Sequence, residues 1–168
     1  MRRVLLALPL TLLAATVPIA VSFREAVDTV RQPVGFDHAR HAQEDLACID
    51  CHKTAESAPY ASLPRNATCR LCHEEAKGES VDEARVREYL EKGQEIPWVQ
   101  VNRLPGHVYF SHAMHVKLGK MECSACHGDM AAATEPVTSS QIDRLTMGRC
   151  MDCHFERGAS NDCLACHK

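Results

Sequence analysis

The sequence predicts a small domain of mainly irregular chain with a few short α-helices, placed behind an N-terminal transmembrane helix. Three observations predict it: an apolar stretch near the start, aromatic residues at only 5% of 168 residues, and ten cysteines in regular pairs. So few aromatic residues leave little material for a conventional packed core. The formal net charge of −3 gives no basic surface for nucleic acid, and 45% hydrophobic residues argue against a disordered chain.

The first element is the apolar run of residues 4–21, which follows two arginines and contains no charged residue. Residues 1–23 are long enough to cross a bilayer, because a helix of about 20 apolar residues spans about 30 Å. We expect an uncleaved anchor, with a cleaved signal peptide as the alternative. In both cases the basic end stays inside and the rest of the chain is exported. Residues 24–35 form a short tether.

All ten cysteines fall into five C-x-x-C pairs, and a histidine directly follows each pair. C-x-x-C-H is the attachment signature of c-type haem, in which two thioether bonds hold the porphyrin and the adjacent histidine is the proximal ligand of the iron. Zinc sites and disulfides also use C-x-x-C, but neither explains a histidine after every pair. We therefore expect five covalently bound haem c groups. Their sites are motif 1 (Cys48, Cys51, His52), motif 2 (Cys69, Cys72, His73), motif 3 (Cys123, Cys126, His127), motif 4 (Cys150, Cys153, His154) and motif 5 (Cys163, Cys166, His167).

Five histidines lie outside the motifs, and five iron atoms need five distal ligands if each is six-coordinate. Four of them belong to an internal repeat, since F-x-H-A-x-H occurs at residues 36–41 and again at residues 110–115. On a helical turn, imidazoles three residues apart lie on one face and can reach two neighbouring haems. The predicted distal ligands are His38, His41, His112 and His115, with His107 as the fifth. Met147 is the alternative to His107.

The repeat divides the haem domain, residues 36–168, into two units. Unit one spans about 36–73 and contains motifs 1 and 2. Unit two spans about 106–168 and contains motifs 3 to 5. A helical spacer, residues 74–105, joins the two units. Five macrocycles in so short a chain would replace a conventional core, so regular structure should be sparse.

The spacer carries the clearest helix signal of the chain. Ser80 and Glu83 have the spacing of a capping box, in which each side chain accepts a hydrogen bond from the backbone N–H of the other. Gly93 stands where the helix should end, because glycine adopts the left-handed C-terminal cap without steric cost. Trp98, the one tryptophan, follows in an extended stretch and is expected to pack against haem or the core.

These motifs resemble those of two related groups of proteins. Residues 36–167, in which F-x-H-x-x-H precedes C-x-x-C-H, resemble the class III multihaem cytochromes c. Residues 96–115, 123–128 and 145–154 resemble more specifically the pentahaem cytochrome c subunit of alternative complex III. That complex is a bacterial quinol:electron-acceptor oxidoreductase.

The resemblance implies ligand roles, partners and a location. It implies that His38 ligates the haem of motif 1, that His112 ligates the haem of motif 3, and that His41 and His115 reach other haems. In that family an N-terminal helix anchors the haem domain on the periplasmic side of the cell membrane. The partners there include a polytopic quinol-binding membrane subunit and an iron–sulfur subunit, and a monohaem cytochrome c can be present.

An iron with two histidine ligands has no open position for a substrate, so the motifs favour electron transfer over catalysis by this chain. The predicted function is that of a membrane-anchored pentahaem cytochrome that carries electrons from a quinol-oxidising complex to a periplasmic acceptor. A free periplasmic electron shuttle is the alternative. A reductase would need one haem without a sixth ligand, and such an opening arises only if His107 is not a ligand.

Overall fold

The computed structural model describes residues 29–140, 142 and 145–167, and over these residues it contains short helices, one isolated antiparallel bridge and no β-sheet. A π-helical turn spans Met114–Leu118, and a 3₁₀ turn spans Met130–Ala132. The α-helices are α1 (His38–Ala42), α2 (Cys48–Cys51), α3 (Asn66–His73), α4 (Val81–Lys92), α5 (Ser124–His127), α6 (Met147–Glu156) and α7 (Cys163–Cys166). The prediction of a mainly irregular chain with a few short helices is confirmed for this part of the molecule.

The predicted membrane anchor, residues 1–23, lies outside the described residues, as does the first part of the tether. Within the ranges that the structure describes, no helix combines the length and the apolar character needed to cross a bilayer. The anchor therefore stays a prediction from the sequence.

Five of the described α-helices coincide with motifs 1 to 5, because each C-x-x-C pair occupies about one helical turn. Cysteines three residues apart lie on the same face of such a turn, as attachment to one macrocycle requires. Side-chain caps begin two of these helices. The Thr146 hydroxyl accepts a hydrogen bond from the Arg149 N–H at the start of α6, and Asp162 accepts one from the Leu164 N–H at the start of α7.

The spacer helix α4 begins and ends where the sequence predicts. The Ser80 hydroxyl accepts hydrogen bonds from the N–H groups of Asp82 and Glu83, each at 3.2 Å. Gly93 ends the helix with a φ of +64°. The second half of the predicted capping box is wrong, since the Glu83 carboxylate accepts its hydrogen bonds from the Lys77 N–H and from His73.

The described chain buries few apolar side chains, which are Val34, Ala39, Ala55, Leu90 and Ile96. Larger apolar side chains within the C-x-x-C turns are exposed, among them Ile49, Leu71, Met151 and Leu164. Burial of apolar side chains is the main driving force of folding. The described part of the polypeptide thus lacks a conventional core of its own, as the low aromatic content predicts.

Asn66 is a buried polar residue that joins the start of α3 to the chain after α4. Its side-chain amide donates to the Gln94 carbonyl at 2.7 Å, and its side-chain oxygen accepts from the Ile96 N–H at 3.3 Å. Its backbone N–H donates to the Glu95 carboxylate at 2.9 Å. Asn66 therefore ties the helix of motif 2 to the spacer.

We expect Asn66→Ala to lower the free energy of unfolding by about 1–3 kcal/mol, because the buried partners of the lost amide stay unsatisfied. Urea titration followed by circular dichroism measures this change. Arg65→Ala is the matched control, since Arg65 forms only an exposed ion pair with Glu95 at 3.3 Å, and such pairs contribute about 0–1 kcal/mol. Equal losses in the two variants would contradict the bridging role of Asn66.

Candidate haem-attachment sites

The first copy of F-x-H-A-x-H positions two imidazoles around one phenyl ring. Asp37 caps α1 by accepting a hydrogen bond from the Arg40 N–H at 2.8 Å. The Phe36 ring meets His38 edge to face with centroids 4.7 Å apart, and it stacks on His41 at 4.3 Å. His41 Nδ1 donates to the Asp37 carbonyl at 2.7 Å, which leaves Nε2 as the nitrogen that can bind a metal.

The second copy reproduces this geometry at the π-helical turn. The Phe110 ring meets His112 edge to face at 5.0 Å and stacks on His115 at 4.5 Å. His115 Nδ1 donates to the Ser111 carbonyl at 2.8 Å, again four residues back along the chain. The repeat seen in the sequence is therefore a repeat of ring positions as well.

Four of the histidines outside the motifs lie beside a motif histidine. An imidazole nitrogen binds a transition metal at about 2.0 Å and lies about 1.1 Å from its ring centre, so two imidazoles on opposite sides of one metal place their centroids about 6.2 Å apart. Three of the observed spacings match this requirement within about 0.2 Å and the fourth is about 0.6 Å shorter, so these residues fit a six-coordinate haem iron. The centroid distances are 6.2 Å for His41 and His73, 6.4 Å for His112 and His127, 6.1 Å for His115 and His154, and 5.6 Å for His107 and His167.

His38, the remaining predicted distal ligand, interacts electrostatically with His52. Burial lowers the pKa of His38, and the nearby His52 lowers it further. Burial also lowers the pKa of His127. A low pKa keeps an imidazole neutral, which is the form that binds iron. The Nδ1 atom of His38 is buried and makes no hydrogen bond within the described part of the chain.

The Nδ1 atoms of several other motif and repeat histidines donate to backbone carbonyls. His52 donates to Ser62 at 2.7 Å, His112 to Pro59 at 3.0 Å and His154 to Ser160 at 2.6 Å. Such bonds fix the ring orientation and direct Nε2 towards the metal. The contact of His112 with Pro59 joins segments 53 residues apart, whereas the other two partners are local.

His73 differs from these histidines, because its Nδ1 lies 3.3 Å from a carboxylate oxygen of Glu83. The Glu83 side chain is only 10% exposed. The hydrogen bond from the Lys77 N–H, supplemented by that from His73, holds the pKa of Glu83 below its usual value. Sequence reasoning gave Glu83 a capping role alone, and nothing in its spacing from His73 marks the contact.

Motif 5 brings together the segment around His107 and the end of the described chain. Val108 forms an antiparallel bridge with His167, and the Tyr109 N–H donates to the Cys166 carbonyl at 2.7 Å. These backbone contacts hold His107 against His167. Met147, the alternative ligand, is the first residue of α6 and its side chain is 65% exposed.

Trp98, which the sequence predicts to pack against haem or the core, lies against the first repeat. Its ring meets the Phe36 ring edge to face at 6.1 Å. Its indole nitrogen is buried and has no hydrogen-bond partner in the described protein. The contact continues the aromatic cluster that holds His38 and His41.

Comparison with known proteins shows which family the chain resembles. Residues 108–168 match the family described as cytochrome c7 and related cytochrome c. The chain is also 32% identical over 161 residues to the multihaem cytochrome c subunit of menaquinone reductase from Nitratidesulfovibrio vulgaris (strain Hildenborough). That alignment covers 82% of this chain and 77% of the relative.

Proposed function

The chain belongs to the multihaem cytochromes c, and from that membership we propose that it is an electron-transfer subunit of a membrane complex that exchanges electrons with quinones. Haem c, when bound, supplies one-electron exchange at its iron. The observation that carries the proposal is the set of paired imidazoles at metal-bridging distance. Paired ligands leave no position for a substrate, so this subunit conducts electrons and does not itself catalyse a reaction.

The ring contacts support one distal ligand for each of motifs 2 to 5, and the electrostatic effect of His52 on His38 supports one for motif 1. In each unit the first histidine of F-x-H-A-x-H serves the first motif, and the second histidine serves the second motif. His38 and His112 keep the roles that the resemblance implies. The five histidine pairs that would hold haem are His52 with His38, His73 with His41, His127 with His112, His154 with His115, and His167 with His107.

The two motifs of unit one are neighbours. His38 and His41 share one turn of α1 and contact the same Phe36 ring, although they serve different motifs. Burial raises the pKa of the Cys69 thiol, and Cys51 raises it further, so the cysteines of the two motifs are also close.

Motif 1 also adjoins motif 3 of unit two. The loop after motif 1 accepts two backbone hydrogen bonds from the second repeat: His112 donates to the Pro59 carbonyl and Ala113 to the Ala58 carbonyl, each at 3.1 Å. Burial raises the pKa of the Cys123 thiol, and Cys48 raises it further. Motif 1 therefore links the two units.

Motifs 3, 4 and 5 are also neighbours of one another in this order. His112 and His115 lie on adjacent turns beside one Phe110 ring and serve motifs 3 and 4. The loop between α6 and α7 folds back on α6, since Asn161 donates to the Met151 carbonyl at 3.2 Å. The contacts together support a row in the order 2, 1, 3, 4, 5, with motifs 2 and 5 at its ends.

The complex that we propose is one like alternative complex III, in which electrons pass from quinol to a periplasmic acceptor. Its other members would be a polytopic quinol-binding membrane subunit, an iron–sulfur subunit and, in some cases, a monohaem cytochrome c. The apolar residues 4–21 would anchor the chain in the cell membrane, with the haem domain on the periplasmic side. The two ends of the row are the places where electrons would enter and leave.

The test is purification from native membranes in mild detergent, with intact mass measured on this chain and identification of what accompanies it. Five haems should add about 3.1 kDa, at about 0.6 kDa each, to the chain. A polytopic quinol-binding partner and reduction of the haems by added quinol would support the proposal. A chain without added haem mass would overturn it, and a chain that travels alone without the apolar segment would favour the periplasmic shuttle.

A second candidate is electron flow in the opposite direction, from a periplasmic donor to quinone. The name of the relative, a menaquinone reductase subunit, favours it. The same purified complex separates the two candidates. Steady turnover with quinol and an artificial electron acceptor supports quinol oxidation, whereas turnover with an artificial donor and a menaquinone analogue supports quinone reduction.

A further inference from the structure

Among the motif and repeat histidines of the described chain, His73 is distinguished by a carboxylate partner. The other Nδ1 hydrogen bonds that these histidines make within the described chain end on backbone carbonyls, for example those of Asp37 and Ser111. A carbonyl carries no net charge, whereas Glu83 brings a negative charge to 3.3 Å from His73 Nδ1. Motif 2 therefore has a different electrostatic environment from its neighbours.

Several contacts hold Glu83 in this position. The Ser80 hydroxyl caps α4 by accepting a hydrogen bond from the Glu83 backbone N–H. The Glu83 side chain therefore lies in the first turn of the helix. The Lys77 N–H donates to the same carboxylate oxygen that faces His73. Gly78 lies close to the other carboxylate oxygen: a Cβ atom added to this glycine would be 3.3 Å from Glu83 Oε2. The carboxylate is thus built into the loop that joins α3 to α4.

The packing of α4 on α3 keeps this geometry rigid. The Arg70 guanidinium of α3 donates to the Leu90 carbonyl of α4. Asn66 links the beginning of α3 to the chain that follows α4. At the other end of α4, the Gly35 N–H donates to the Asp82 carboxylate at 2.9 Å.

A carboxylate that accepts a hydrogen bond from a ligating histidine raises the basicity of that ligand. A more basic imidazole donates more electron density and favours ferric over ferrous iron, and hydrogen bonding around the ligands is one of the levers that set haem potentials. The Glu83 side chain is only 10% exposed and lies 3.3 Å from His73 Nδ1, so its charge acts on the ligand at short range.

We propose that Glu83 is a positioning residue that lowers the reduction potential of the haem bound by Cys69, Cys72 and His73. The inference rests on the proposed function, since it requires motif 2 to bind haem with His73 as a ligand. Motif 2 is also an end of the proposed row. A low potential there favours electron entry at this end and exit towards motif 5.

The experiment is a redox titration of the full chain in its complex, comparing the wild type with Glu83→Gln. Glutamine keeps the size of the side chain and an acceptor oxygen but removes the charge. We expect one of the five one-electron components to move to a more positive potential by about 60 mV, which corresponds to a roughly tenfold change in the ferric–ferrous equilibrium. The other four components should stay in place.

Two further variants complete the test. Glu79→Gln removes the same charge from an exposed residue of the same loop and should leave all five components unchanged. Glu83→Asp keeps the charge, but the shorter side chain places it farther from His73. The potential of the same haem should therefore shift in the same direction by a smaller amount. Intact mass must show the full haem complement in each variant that is titrated.

Each outcome bears on a separate statement. Five haems with an unmoved potential in both Glu83 variants would overturn the inference and leave the proposed function standing. An equal shift in the Glu79 and Glu83 variants would also overturn it, because a distant charge would then act as strongly as the contact. Absence of haem from the wild-type chain would overturn the proposed function and the inference together.

Discussion

Replacing His107 with alanine is expected to leave one haem of five without its sixth ligand, so that the reduced protein binds one carbon monoxide molecule per chain. The reason is the geometry of motif 5, where the rings of His107 and His167 are 5.6 Å apart and nearly parallel. The bridge between Val108 and His167 holds this arrangement. Carbon monoxide titration of the reduced chain, followed in the Soret region, measures the opening.

Met147→Leu is the matched control for His107→Ala. Leucine keeps the size and apolar character of methionine but removes the sulfur that could bind iron. We expect this variant to bind no carbon monoxide, as the wild type should. If Met147→Leu opens a haem and His107→Ala does not, the fifth distal ligand is the methionine and the ring contact at motif 5 has no ligand role.

His41→Ala should also leave one haem without its sixth ligand, and that haem should be the one whose potential Glu83 lowers. The ring centroids of His41 and His73 are 6.2 Å apart, and Glu83 contacts the His73 ring through Nδ1. In the double variant with Glu83→Gln, the carbon monoxide-binding haem should therefore have a more positive potential than in His41→Ala alone. Redox titration monitored at the high-spin absorption of the opened haem measures this difference.

His115→Ala is the control for this pairing. His115 faces His154 at 6.1 Å, so its loss should open the haem of motif 4 instead. Adding Glu83→Gln should then leave the potential of the opened haem unchanged. A shift with His115→Ala but not with His41→Ala would show that the two repeat histidines serve the opposite motifs.

The repeated ring geometry gives these pairings a common structural origin. Phe36 and Phe110 each hold one histidine edge to face and one by stacking, with centroid distances that agree within 0.3 Å between the copies. The second histidine of each copy donates to a carbonyl four residues earlier. Each copy of F-x-H-A-x-H thus orients its two histidines differently.

Local patterns therefore carried most of what could be predicted from the sequence. The C-x-x-C-H spacing indicated the family because attachment to one macrocycle requires the two cysteines and the histidine to lie within about one helical turn. Ser80 and Gly93 marked the bounds of α4 because caps depend on residues within a single turn. The scarcity of aromatic residues indicated a small core, and the described chain buries few apolar side chains.

Contacts between distant residues were decided only by the tertiary structure. The sequence placed Glu83 in a capping box, but folding of the loop before α4 turned its carboxylate towards Lys77 and His73. The sequence left His107 and Met147 as alternatives, and the pairing of the segment around Val108 with motif 5 brought His107 to His167. The physical reason is that hydrogen-bonded turns depend on neighbours along the chain, whereas the approach of two imidazoles depends on how separate turns pack.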